Sequence, residues 1–146
     1  MGRQQVNPAL ATQVSVTFTW LGLVLGISFL EAPLKFRAPG LTVEVGVGIG
    51  RLVFRALNAV EGVAAVVLLI AVLVQGIRVS LVLTIAVIVV LGLGALVLRP
   101  LMDRRVTRGR TAEQMPRHSM HFAYIALEVA KVALLIAIGV VGLATA

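Results

Sequence analysis

Cysteine is absent from the 146 residues, which excludes disulfides, thiol catalysis, iron–sulfur clusters and cysteine-based zinc sites. Charge is scarce as well. Only 13% of the residues are Asp, Glu, Lys or Arg, against roughly 25% in an ordinary soluble domain. Acidic residues are the rarer kind, six against thirteen Lys and Arg, so the net charge is +7. Such an excess can mark a nucleic-acid binder. Here the basic residues flank apolar runs and no nucleic-acid-binding fold accompanies them, so membrane topology and attraction to anionic lipid head groups account for them and no nucleic-acid partner is expected. The period-two alternation of a membrane β-barrel is missing too.

What the chain has in abundance is Val, Leu, Ile, Ala and Gly, and 60% of it is hydrophobic. Hydrocarbon about 30 Å thick requires about 20 apolar residues per helical crossing. Inside it, backbone polar groups must pair within the segment. The runs at 14–36, 54–74, 79–98 and 121–143 meet that requirement. The expected fold is an all-α integral membrane protein, a bundle of four transmembrane helices, with 1–146 forming a single membrane domain. The first run is no convincing cleaved signal peptide, because no small-x-small site follows it. Pro33 is expected to kink or end the first helix. Residues 41–53 carry Gly46, Gly48 and Gly50, and read as an interfacial helix or a close-packed extension of the second span. Their GxGxG spacing lacks the strand–loop–helix setting of a nucleotide fingerprint.

Charge sets the orientation. Lys35, Arg37, Arg51 and Arg55 lie around the connection at 37–53, and Arg99, Arg104, Arg105, Arg108, Arg110 and Arg117 in that at 99–120. Those ten share one side, while only Arg3 and Arg78 lie on the other. The positive-inside rule then puts both basic loops in the cytoplasm and both termini outside it. The expected location is a bacterial cytoplasmic membrane, crossed several times.

Ionisable residues inside a span are costly, about 2.5–3.5 kcal/mol each on the lenient insertion scale, so they should face the interior and find partners. Glu31, Glu61, Glu128 and Lys131 are such residues. Arg51, Arg55, Asn58 and Gly62 make one stripe on the second helix, which Glu61 borders; His121, Tyr124, Glu128 and Lys131 make another on the fourth. Together with Glu31 these stripes imply a polar pocket open toward the cytoplasm, for a small ligand, an ion or a proton. A purely structural ion-pair network explains the same residues. A metal is not expected, because the Glu-x-x-His pairs of a carboxylate-bridged bundle site are missing. No cofactor is evident, and no nucleophile–base–orienter set appears, leaving Tyr124 and His121 as the plausible proton donors. The third span holds no ionisable residue and is expected to face lipid or another protomer. Gly22-x-x-x-Gly26 and Gly92-x-Gly94 permit close helix approach, within the bundle or in a homo-oligomer or larger complex.

Two families share residues with this chain. The segment Gly26-Ile-Ser-Phe-Leu-Glu-Ala-Pro-Leu-Lys-Phe36, then Gly50-Arg-Leu-Val-Phe54 and His121, resembles small four-span bacterial membrane proteins of the transmembrane-protein-205-like group. That resemblance implies the fold and assigns no activity. More locally, Arg51, Asn58 and Glu61 are spaced as in the second helix of the membrane-associated eicosanoid and glutathione metabolism family, where Arg-x-x-Arg-Ala-x-x-Asn-x-x-Glu helps hold glutathione. Phe54 stands where that pattern has its second Arg, and Arg55 follows one position later. The resemblance implies, as alternatives to the pocket protein, a glutathione- or lipid-modifying enzyme in which Arg51 and Arg55 hold anionic groups. A structural subunit of a membrane complex is the third possibility.

Overall fold

The computed structural model describes residues 7–102 and 117–146, and for 117–121 the backbone alone. Four helices make up almost all of it: α1 (Pro8–Arg37), α2 (Val43–Gln75), α3 (Arg78–Met102) and α4 (Arg117–Ala144). Each contains a stretch long and apolar enough to cross a membrane. They run alternately up and down. The Gln13 amide reaches the Ile138 carbonyl and the Gln75 amide reaches the Ala9 carbonyl, so the start of α1, the α2–α3 turn and the end of α4 share one end of the bundle. The opposite end carries Lys35, Arg51 and Arg99 and is called the basic end below.

The helix boundaries have local causes. Asn7 caps α1, its side-chain oxygen accepting from the Ala9 N–H, and Pro8 occupies the first turn, where its missing N–H costs nothing. Thr42 caps α2 in the same way through the Val45 N–H. That cap starts α2 at Val43, so the glycine-rich segment is an extension of the second helix and only 38–42 separates it from α1. Gly76 ends α2 at φ +71°, a left-handed conformation that a side chain would disfavour.

Neither Pro33 nor Pro100 stops its helix at the proline itself. α1 continues through Pro33 to Arg37, and α3 continues past residue 98 through Pro100 to Met102. In each case a π-helical segment precedes the proline: Leu25–Glu31 ends two residues before Pro33, and Leu93–Leu98 two residues before Pro100. A proline ring collides with the carbonyl four residues back and leaves it without a donor. A wider turn at that point relieves the collision and keeps the helix going.

Packing is inverted relative to a soluble bundle. Trp20, Val24, Leu68, Val87, Leu135 and Ile138 are buried in a narrow core. Val63, Val66, Ile70, Val82, Leu96 and Val140 stand open on the outside. A continuous apolar exterior of this kind is what a bilayer covers. α1 and α4 approach through Gly139 and Gly142, where a Cβ would meet the Phe18 ring at 2.8 Å and Val14 at 3.0 Å. Gly22, Gly26 and Gly92 have open space beside them, so close approach within the bundle does not use them. α3 buries Ser80, Thr84, Val87 and Leu91 on one face, while Val79, Val82, Ile85 and Val89 of its other face stay exposed.

Candidate functional site

Among the described residues seven polar side chains are buried; Thr17 and Thr84 stand singly, and the other five fall into two hydrogen-bonded groups. Near the termini, the Gln13 amide donates to the Ser80 hydroxyl and the Ile138 carbonyl, both at 3.3 Å. The Gln75 amide donates to the Gln13 side-chain oxygen at 2.8 Å. This tie joins all four helices with neutral groups.

The second group is ionic and sits toward the basic end. On α2, Leu57, Glu61, Ala65, Leu68 and Val72 form the inward stripe; on α4, Glu128, Lys131, Leu135 and Ile138 do. Both stripes are apolar apart from the three charges, which therefore have only one another and nearby donors as partners. Lys131 Nζ donates to Glu61 Oε1 at 2.8 Å and to Glu128 Oε1 at 2.9 Å. The indole N–H of Trp20 donates to the same Glu61 oxygen at 2.9 Å, and Ser28 Oγ donates to Glu128 Oε2 at 2.9 Å. Glu61 is 0% exposed, Lys131 2% and Glu128 5%. Removing one member of such a network leaves a buried charge uncompensated, which costs about 3–5 kcal/mol.

Glu128 also borders a cavity of about 570 Å³ at the basic end. Lys35 of α1, Arg51 of α2, Arg99 of α3 and Tyr124 of α4 line it, so every helix contributes a polar group. Arg99 Nη2 donates to the Tyr124 hydroxyl at 3.0 Å, and its guanidinium lies 4.4 Å from the Phe54 ring centre. Phe54 in turn meets Tyr124 edge to face, with ring centres 5.9 Å apart. A cation over an aromatic face gains about 0.5–2 kcal/mol, more when desolvated. The stack thus holds the arginine in place while its buried Nε–H has no hydrogen-bond partner among the described residues. Gly46 and Gly50 shape the opposite wall: a Cβ on Gly46 would strike the Phe36 ring, and one on Gly50 would stand 2.9 Å from Lys35 Nζ. Two glycines of the GxGxG segment are therefore there to admit side chains of α1.

The candidates read from the sequence divide between several places. Glu61, Glu128 and Lys131 meet in the network; Arg51, Tyr124 and Glu128 line the cavity. Glu31 is elsewhere. It faces a shallow groove on the outer side of α1 and lies 3.4 Å from Lys35 Nζ, one turn on. Arg55 is exposed and Asn58 half-buried, and neither lines the cavity. The His121 side chain lies outside the described residues. Trp20, Ser28, Lys35, Phe54 and Arg99 are the additions the structure makes. Arg99 lies just beyond the expected third span of 79–98: because α3 runs on through Pro100, the helix brings an ionisable group to the cavity. Among the described residues there is no group of three His, Cys, Asp or Glu able to hold a metal ion.

The arrangement can bind negative charge. Its cations come from three helices, and the one carboxylate that lines it among the described residues, Glu128, is held by Lys131 and Ser28. Compared with known protein families, with curated proteins and with solved structures, the chain finds no match.

Proposed function

We propose that this protein is a multi-pass protein of a bacterial cytoplasmic membrane that binds a small anionic ligand in the cavity at its basic end. The observation that carries the reading is the convergence of Lys35, Arg51 and Arg99 from three helices on one cavity whose carboxylate is committed to Lys131. A cavity of about 570 Å³ lies within the roughly 300–1,000 Å³ of small-molecule sites. Charge asymmetry directs the cavity toward the cytoplasm, with both termini on the far side. Glu128 touches both the cavity and the Lys131 network, so occupancy and the buried charges are coupled through one side chain. A panel of small anions (phosphate, acetate, sn-glycerol 3-phosphate) raises the melting temperature of the purified protein, and Arg99→Gln abolishes the rise. A panel with no effect on the wild type, in the presence or absence of lipid, counts against an anion site.

A second reading, a lipid-modifying enzyme, is favoured by one contact. Ser28 Oγ lies 2.9 Å from a Glu128 oxygen on the cavity wall, as a hydroxyl nucleophile lies beside its base. A fluorophosphonate probe that labels the wild type and spares Ser28→Ala supports it; an unlabelled wild type removes it.

A further inference from the structure

The cavity has two kinds of wall. Lys35, Arg51 and Arg99 supply positive charge, while Phe29, Phe36 and Ile125 supply apolar surface. Those three apolar residues are not closed in: Phe29 is 40% exposed, Phe36 46% and Ile125 38%. Phe29 and Ile125 both belong to spans. Phe29 lies eight residues before Arg37, the last residue of α1, or about 12 Å along the axis at 1.5 Å per residue. At that depth an exposed side chain meets acyl chains and not water. A site for a wholly water-soluble anion has no use for such a side, since it offers the ligand nothing and opens the cations to hydrocarbon.

Resting on the anion-site reading, we infer that the occupant comes from the membrane: an anionic phospholipid whose phosphate sits among Lys35, Arg51 and Arg99 and whose acyl chain leaves the cavity past Phe29 and Ile125. Basic pockets between transmembrane helices suit phospholipid head groups for this reason. The charge count selects among them. Lys35 has Glu31 beside it at 3.4 Å, and among the described residues no carboxylate lies within salt-bridge distance of Arg99. Among the described residues around the cavity, the cations Lys35, Arg51, Arg99 and Lys131 stand against Glu31, Glu61 and Glu128, a surplus of one positive charge, so a head group with net negative charge is preferred over a zwitterionic one. The Tyr124 hydroxyl accepts from Arg99 and so helps to hold that guanidinium at the cavity wall.

The test is a competition. Wild-type protein in detergent micelles is mixed with equal amounts of dioleoyl-phosphatidylglycerol and dioleoyl-phosphatidylcholine, and bound lipid is counted by native mass spectrometry. One basic residue near an anionic head group multiplies affinity about fivefold, which is about 1 kcal/mol. Two arginines together give about thirtyfold by the same constant. One phosphatidylglycerol per chain is expected, at about that preference. Arg51→Gln combined with Arg99→Gln should bring the two lipids level, Arg99→Lys should keep much of the preference, and Arg78→Gln at the other end should leave it unchanged. A separate arm adds sn-glycerol 3-phosphate, the same phosphate without the chain; it should compete only at far higher concentration. If it binds as well as the lipid, or if the wild type takes both lipids equally while glycerol phosphate still binds, the lipid assignment is overturned and the anion site stands. If neither phosphate binds, both fall.

Discussion

Lys131 is the residue whose loss should be felt most. Its ammonium makes charge-assisted bonds of 2.8 and 2.9 Å to Glu61 and Glu128, and all three side chains are buried. Lys131→Met keeps the stem and removes the charge, leaving Glu61 with the Trp20 indole and Glu128 with Ser28 as their hydrogen-bond donors. The expected destabilisation is about 3–5 kcal/mol, the cost of stranding a buried charge. At about 2–4 °C per kcal/mol for a chain of this size, the melting temperature should fall by on the order of 10 °C. The informative partner is a triple variant, Lys131→Met with Glu61→Gln and Glu128→Gln, which removes every formal charge from the network. Because buried ion networks replaced by neutral groups of similar volume often lose little, the triple variant should be more stable than the single one. Replacing Glu128 and Lys131 alone is a poorer control, since Glu61 would still lack its ammonium. By contrast Trp20→Phe deletes one neutral donor, and interhelical hydrogen bonds in membranes average about 0.6 kcal/mol, so its polar cost should be much smaller. Thermal denaturation in one detergent, read by circular dichroism, ranks the four proteins. A single variant within about 1 kcal/mol of wild type, or a triple variant less stable than the single, would refute the view that Lys131 is held by uncompensated carboxylates.

Three further outcomes are expected. A cysteine introduced as Thr145→Cys should react with an impermeant thiol reagent in intact cells and Thr111→Cys should not; the opposite pattern would overturn the orientation. Gly139→Val should destabilise the bundle by about 1–3 kcal/mol through collision with Phe18, whereas Gly22→Ala, with open space beside it, should leave the melting temperature of the protomer unchanged. Thr84 is fully buried and its hydroxyl has no partner among the described residues, so Thr84→Val should raise stability by about 1 kcal/mol, and a loss of similar size would show that the hydroxyl is satisfied.

The four crossings were legible because apolar length is a direct consequence of bilayer thickness. The depth of Glu61, Glu128 and Lys131 was legible because charges in hydrocarbon must find one another. The angular position of their neighbours was less so. The polar stripe of α2 passes through Arg55, six residues from Glu61, which at 100° per residue is about 120° away around the helix. Arg55 is accordingly exposed, whereas Arg51, about 80° from Glu61, reaches the cavity with its long side chain. Trp20 and Ser28 sit in an apolar run, where nothing in the pattern separates an inward polar group from an interfacial one. Arg99 was hidden by Pro100, since a proline after an apolar run reads as a helix end unless the wide turn before it can be foreseen.

Those wide turns have a consequence for how this chain tolerates changes in length. Each π segment is an α-helix carrying one residue too many, so the part beyond it is rotated by about 100° from where an uninterrupted helix would place it. Lys35 and Arg99 both follow such a segment, while α2 and α4, which hold the buried ions, have none. Deleting one residue from 93–98 therefore leaves the buried ions in register and turns Arg99 away from the cavity, whereas a deletion in 25–31 also displaces Ser28, the donor to Glu128. A change of one residue in length, ordinarily ruinous inside a membrane span, falls here on a helix that carries a cavity cation and not on the two that hold the buried ions.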